Sequence, residues 1–207
     1  MNATEVQAGY RPVEEATVKT VEGGAIMESI GAVATIALAI VGLAGVLSTT
    51  MAAIATIILG AAIWVEGGAF AVTHSQTATP QGSVARILDW SEGLAAEFLG
   101  GLAGIVLGVL ALLGVAPLVL LSVAVLVFGA TFLLSGVTTT GSNSQSLMGL
   151  GALILGILAV VGLNTLTLVL TALLCLGASA LLHGAATNAR LAFAAHRRSD
   201  LTVQSTH

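Results

Sequence analysis

The stretch "LGAAIWVEGG", residues 59–68, decides the fold, because an otherwise uncharged apolar run closes on a carboxylate and then on glycine. The same arrangement returns in "FGATFLLSGV" at 128–137 and "LGASALLHGA" at 176–185. Each reads glycine, alanine, four other residues, one polar residue and glycine, so Glu66, Ser135 and His183 hold one repeated position. Working outward, a step of 69 carries Gly24, Glu28, Gly31, Gly45, Gly60 and Gly67 onto Gly93, Glu97, Gly100, Gly114, Gly129 and Gly136. A further step of 48 reaches Gly141, Gln145, Gly162, Gly177 and Gly184. Three copies result, at about 24–67, 93–136 and 141–184, and self-similarity at this spacing is the mark of a repeat architecture.

Composition gives the solvent. Hydrophobic residues make up 57% of the chain and charged residues 8%, against about 25% charged in soluble domains. The apolar segments run about 18–20 residues, which at about 1.5 Å per residue approaches the ~30 Å hydrocarbon core of a bilayer. The first 25 residues carry Glu5, Arg11, Glu14, Glu15, Lys19 and Glu22 and do not read as a signal peptide. No alternating ten-residue pattern suggests a barrel, so helices must satisfy the backbone in lipid. The single cysteine, Cys175, lies within an apolar segment and reads as a small core residue.

A central glycine divides each copy. Gly45, Gly114 and Gly162 suit a helix C-terminus, whereas Ser48, Pro117 and Asn164 or Thr165 suit the start of the next helix. The expected fold is therefore an all-α membrane protein with six transmembrane helices arranged as three repeated helical hairpins. The expected spans are 27–45, 49–67, 95–114, 117–136, 145–162 and 165–184. They form a membrane domain over 25–187, between a polar cytoplasmic segment, 1–24, and a cytoplasmic tail, 188–207. The joint 68–92 has room for a short surface helix: "SVARILDWSEG" sets Val84, Ile87 and Leu88 on one face. An extension of the third helix fits that stretch equally well.

Orientation follows from the cations. Arg11 and Lys19 precede the first span, Arg86 lies in the first joint, and Arg190, Arg197 and Arg198 follow the last span. The three turns inside the copies carry no lysine or arginine, so the positive-inside rule places both termini in the cytoplasm. Trp64 and Trp90 then fall near the cytoplasmic boundary, where interfacial anchoring is the expectation. Membrane lipid is the expected environment. A second copy or a larger membrane complex would engage through residues 1–24 and 68–92, and no nucleic-acid partner is expected.

Within the first helix of each copy runs a stripe of small residues. Ala32, Thr35, Ala39 and Gly42 correspond to Gly101, Gly104, Gly108 and Ala111, and to Gly149, Ala152, Gly156 and Ala159. Spacings of three, four and three put each set on one face, where helices approach closely in lipid. The alternative is a narrow pore for an uncharged solute, but the stripe offers few hydrogen bonds to replace a solute's hydration.

The pattern "GGLAGIVLGVLALLGVAPLVLLSVAVLVFGATFLLSG", with its echoes "GLGALILGILAVVGLNTLTLVLTALLCLGASALLHG" and "GAVATIALAIVGLAGVLSTTMAAIATIILGAAIWVEG", resembles the HdeD-like acid-resistance membrane proteins. The resemblance covers about residues 24–187. It implies a bacterial inner-membrane protein with six helices and a role in acid stress, and it brings no catalytic motif. Of the prolines that mark the family's turns, only Pro117 is present, and the amino-terminal segment and long first joint are additions.

Residues 29–65, 98–134 and 146–182 contain no Asp, Glu, Lys, Arg or His, whereas ion-coupled transporters and proton relays generally keep an ionisable group at membrane depth. No metal-ligand spacing, nucleophile elbow or phosphate loop is present, so the sequence suggests no enzyme, cofactor or metal. Two rings of polar residues remain, both expected at the cytoplasmic boundary. Glu28, Glu97 and Gln145 start the first helices, where the helix dipole favours a carboxylate. Glu66, Ser135 and His183 end the second helices. Were the copies to surround a pseudo-threefold axis, Glu66 and His183 would meet in a pH-sensitive contact, since histidine titrates near neutral pH. The competing expectation is two separately hydrated boundary residues. Three function classes stand: a stress-related HdeD-like protein, an assembly subunit of a larger membrane complex, and a channel for a small neutral solute.

Overall fold

The structure, a computed structural model, describes residues 26–75, 92–138 and 143–204. The amino-terminal segment 1–24 and most of the joint with its expected surface helix lie outside the described residues. The described chain is entirely helical: α1 (Ile26–Leu43), α2 (Ser48–Ser75), α3 (Glu92–Leu112), α4 (Pro117–Thr138), α5 (Asn143–Val160) and α6 (Thr165–Gln204). Four of them, α1, α2, α4 and α6, are long and apolar enough to cross a membrane. The described apolar parts of α3 and α5, Ala96–Leu112 and Ser146–Val160, belong to helices of 21 and 18 residues. Helices α2 and α6 outrun the expected spans, reaching Ser75 and Gln204, and run through Gly67, Gly68 and Gly184 without a break.

The turns at 44–47, 113–116 and 161–164 share one construction. Gly45, Gly114 and Gly162 adopt φ of +89°, +85° and +93°, a region where a side chain is strained. Their N–H groups donate to the carbonyls of Gly42, Ala111 and Ala159 at 3.0–3.1 Å. The following N–H groups reach back to Val41, Leu110 and Leu158 at 3.1–3.4 Å, so two otherwise orphaned carbonyls close each helix. Two residues after each glycine, Leu47, Ala116 and Asn164 are also left-handed, with φ of 43°, 39° and 42°. The hydroxyls of Ser48 and Thr165 donate to the carbonyls of Gly42, at 2.8 Å, and Ala159, at 3.1 Å. They therefore help to finish the preceding helix, a use beyond the starting role read from sequence.

Helices α2, α4 and α6 touch one another, while α3 lies against α2 and α4, and α5 against α4 and α6. Helix α1 completes the ring: Gly31 faces Ala62 of α2, and Gly177 of α6 faces Ala32 and Ile36. The inner three helices supply the large buried side chains, among them Leu59, Leu121, Phe128, Leu170 and Leu176. The outer three leave apolar side chains open to the surroundings, such as Ile30, Val33, Leu102, Val106, Ile154 and Ile157. In lipid those residues gain nothing by turning inward, so close van der Waals contact must hold the helices together.

The small-residue stripe is that contact face. Gly101, Gly104, Gly108, Gly149, Ala152 and Gly156 are all buried. A Cβ on Gly101 would sit 2.6 Å from the Trp64 nitrogen and 2.7 Å from the Gly60 carbonyl oxygen. One on Gly149 would sit 2.5 Å from the Leu133 nitrogen and 2.8 Å from the Gly129 oxygen, one step along the chain. Gly104 is covered by the Phe128 ring, Gly108 by Ile57 and Gly156 by Leu126. Hydroxyls inside the bundle are satisfied within their own helices: Thr35, Thr56, Ser122 and Thr131 each donate to the carbonyl four residues back at 2.8–2.9 Å.

Candidate functional site

Chain reversal at the turns brings the beginnings of α1 and α3 to the same end of the bundle as the late parts of α2, α4 and α6. The polar residues of both rings therefore converge. Glu28 comes from α1, Glu66 from α2, Glu97 from α3, Ser135 from α4 and His183 from α6. His183 Nε2 lies 3.4 Å from Glu66 Oε1, within ion-pairing distance. One donor atom each from Glu28, Glu66 and His183 lies within 4.8 Å of the others. The Glu97 carboxylate faces both Glu66 and His183 and has the Ser135 hydroxyl beside it. That hydroxyl also stands 3.0 Å from the Thr131 carbonyl, and its single proton serves one acceptor at a time.

The cluster is not the hydrated boundary expected from sequence. Glu28 is 1% exposed and Glu66 8%, while the His183 side chain keeps 32% of its surface open. The covering has a local cause: Gly67 allows the backbone at Phe98 to come so close that a Cβ there would lie 2.9 Å from the Phe98 nitrogen. Helix α3 thus closes over the Glu66 turn. Trp64 packs its ring against Phe98 at a centroid distance of 5.8 Å and a tilt of 38°, and stays partly exposed. Trp90 lies outside the described residues, and the side chain of Gln145 is not among those described.

Among the described residues, Glu28 Oε2 is a buried side-chain oxygen with no hydrogen-bond partner. An unsatisfied buried carboxylate oxygen is costly, all the more so beside a second carboxylate, because two ionised carboxylates repel in a weakly polar interior. A proton or a cation between them removes that cost. The sequence marks Glu28 and Glu97 as dipole-favoured helix starts and gives no sign that they belong to a site. The signal that could have found them is topological: in a helix pair folded back on itself, the start of one helix and the end of the other meet.

No family model matches the chain, and neither a curated protein nor a solved structure does.

Proposed function

We propose that the protein is a non-enzymatic, multi-pass protein of the bacterial inner membrane, built as three helical hairpins around a pseudo-threefold axis, with a role in acid or envelope stress. All six helices cross the bilayer in this reading, since α3 with 21 residues and α5 with 18 approach the ~30 Å core at about 1.5 Å per residue. Both termini are cytoplasmic, as the one-sided cations require. The observation that carries the proposal is the burial of Glu28, Glu66 and His183 together at one end of an otherwise uncharged bundle. Ionisable groups held at such cost mark function by default, and here they sit at the cytoplasmic end and not along a path through the bilayer. That placement suits a protein that responds to conditions in the cytoplasm better than one that moves a solute.

Burial of the large side chains of Leu59, Phe128 and Leu176 in the core counts against the channel reading. The assembly-subunit reading keeps one observation in its favour. Helix α6 continues to Gln204, well past the span expected to end at 184, and offers a helical rod for a partner or for a second copy. Deletion of the gene followed by acid challenge tests the first reading: survival should fall and return with a plasmid copy. Unchanged survival, together with co-purification of a stable membrane complex through residues 186–204, would favour the second.

A further inference from the structure

We propose that Glu28, Glu66 and His183 bind a divalent transition-metal ion of the zinc class. Two carboxylates and one imidazole form a mixed oxygen–nitrogen donor set, which suits zinc, manganese, iron(II) or cobalt(II) better than calcium, which takes six to eight oxygens. The donor atoms lie within 4.8 Å of one another before any ion draws them in. His183 Nε2 and Glu66 Oε1 are 3.4 Å apart, about the separation that two bonds of ~2.0–2.2 Å make at a tetrahedral angle.

The second observation is independent of the cluster's composition. Glu28 is 1% exposed, and its Oε2 has no hydrogen-bond partner. An ion between Glu28 and Glu66 uses that oxygen and removes the repulsion between the carboxylates. Two carboxylates, a neutral imidazole and a dication sum to zero, and Glu97 beside them adds a third carboxyl group that keeps this neutrality when it carries a proton. Partial exposure of His183 gives the ion a way in from the end of the bundle. Glu97 flanks the pair and can take a further position on the metal or orient His183.

The inference stands apart from the stress role and is tested on purified protein. Full-length protein in detergent is stripped with chelator, desalted and titrated at neutral pH with Zn2+, and bound metal is counted by elemental mass spectrometry. Co2+ in its place reports the coordination by visible absorption. One ion per chain is expected, with affinity weakened more than about tenfold by Glu28→Gln and by His183→Gln, and with loss of the cobalt band. A variant with His74, His196 and His207 all changed to Gln should bind as the wild type does. Wild-type protein that holds no ion would overturn the proposal without recourse to any variant, leaving protons as the only occupants. Binding that survives Glu28→Gln, or that vanishes in the triple histidine variant, would overturn it as well. Failure of the acid challenge alone would leave the metal count unaffected.

Discussion

His183 Nε2 meets Glu66 Oε1 at 3.4 Å, so the last helix of the bundle is joined to the second at the end where both apolar runs finish. The contact exists because α2, α4 and α6 form the inner set and because α1 and α3 cover it from outside. Glu28, under that cover, keeps one oxygen unsatisfied.

A residue retained against stability should reveal itself by its removal. Glu28→Met replaces the carboxylate with an apolar side chain of similar length and should stabilise chelator-treated protein by about 1–3 kcal/mol, the cost of an unsatisfied buried polar group. Denaturation in mixed detergent, followed by loss of helical signal, measures it. A loss of stability on this substitution would mean that Glu28 has a partner that holds the fold together.

The seams between helices should tolerate no side chain. Gly101→Ala drives a methyl against the Trp64 nitrogen and the Gly60 carbonyl and should cost about 1–3 kcal/mol through overpacking. Gly151→Ala, at a helical glycine with open space where its Cβ would go, should be neutral or gain up to about 1 kcal/mol from helix propensity. Equal effects in the same denaturation measurement would remove the stripe from the account of packing.

At the turns, the backbone alone decides. Gly45, Gly114 and Gly162 have open space around a Cβ position, so Gly162→Ala reports only its left-handed φ and should cost about 1–2 kcal/mol. Leu47→Gly, at φ 43° in an exposed turn, should be neutral or stabilising because it relieves the same strain. Comparing their unfolding midpoints checks both.

Topology can be read by labelling. In a Cys175→Ser background, Thr49→Cys, Val115→Cys and Asn164→Cys, at or beside the three turns, should react with an impermeant thiol reagent added to intact cells. Thr140→Cys and Ser199→Cys should react only after the membrane is opened. Reaction of Thr140→Cys from outside would invert the orientation assigned from the cations.

Much of the architecture was legible because it depends on local chemistry. Gly45, Gly114 and Gly162 mark the turns because only glycine enters the left-handed region freely, and the small residues of α3 and α5 mark the seams because a backbone cannot approach a larger one so closely. Helix ends were less legible. The sequence places the ends of α2 and α6 where hydrophobicity stops, but a helix needs only satisfied backbone groups to continue past its apolar run, and both do so.

The site divides in the same way. Sequence alone determined that the charges lie at the ends of the apolar segments and that Glu66 and His183 share a repeated position, because pattern and spacing are properties of the chain. That these residues are buried, that Glu28 joins them, and that one of its oxygens lacks a partner follow from the packing of the helices. Burial and pairing depend on which helix covers which, and that depends on close packing among α1, α2, α3 and α6, whose sequences lie far apart and carry no local sign of one another.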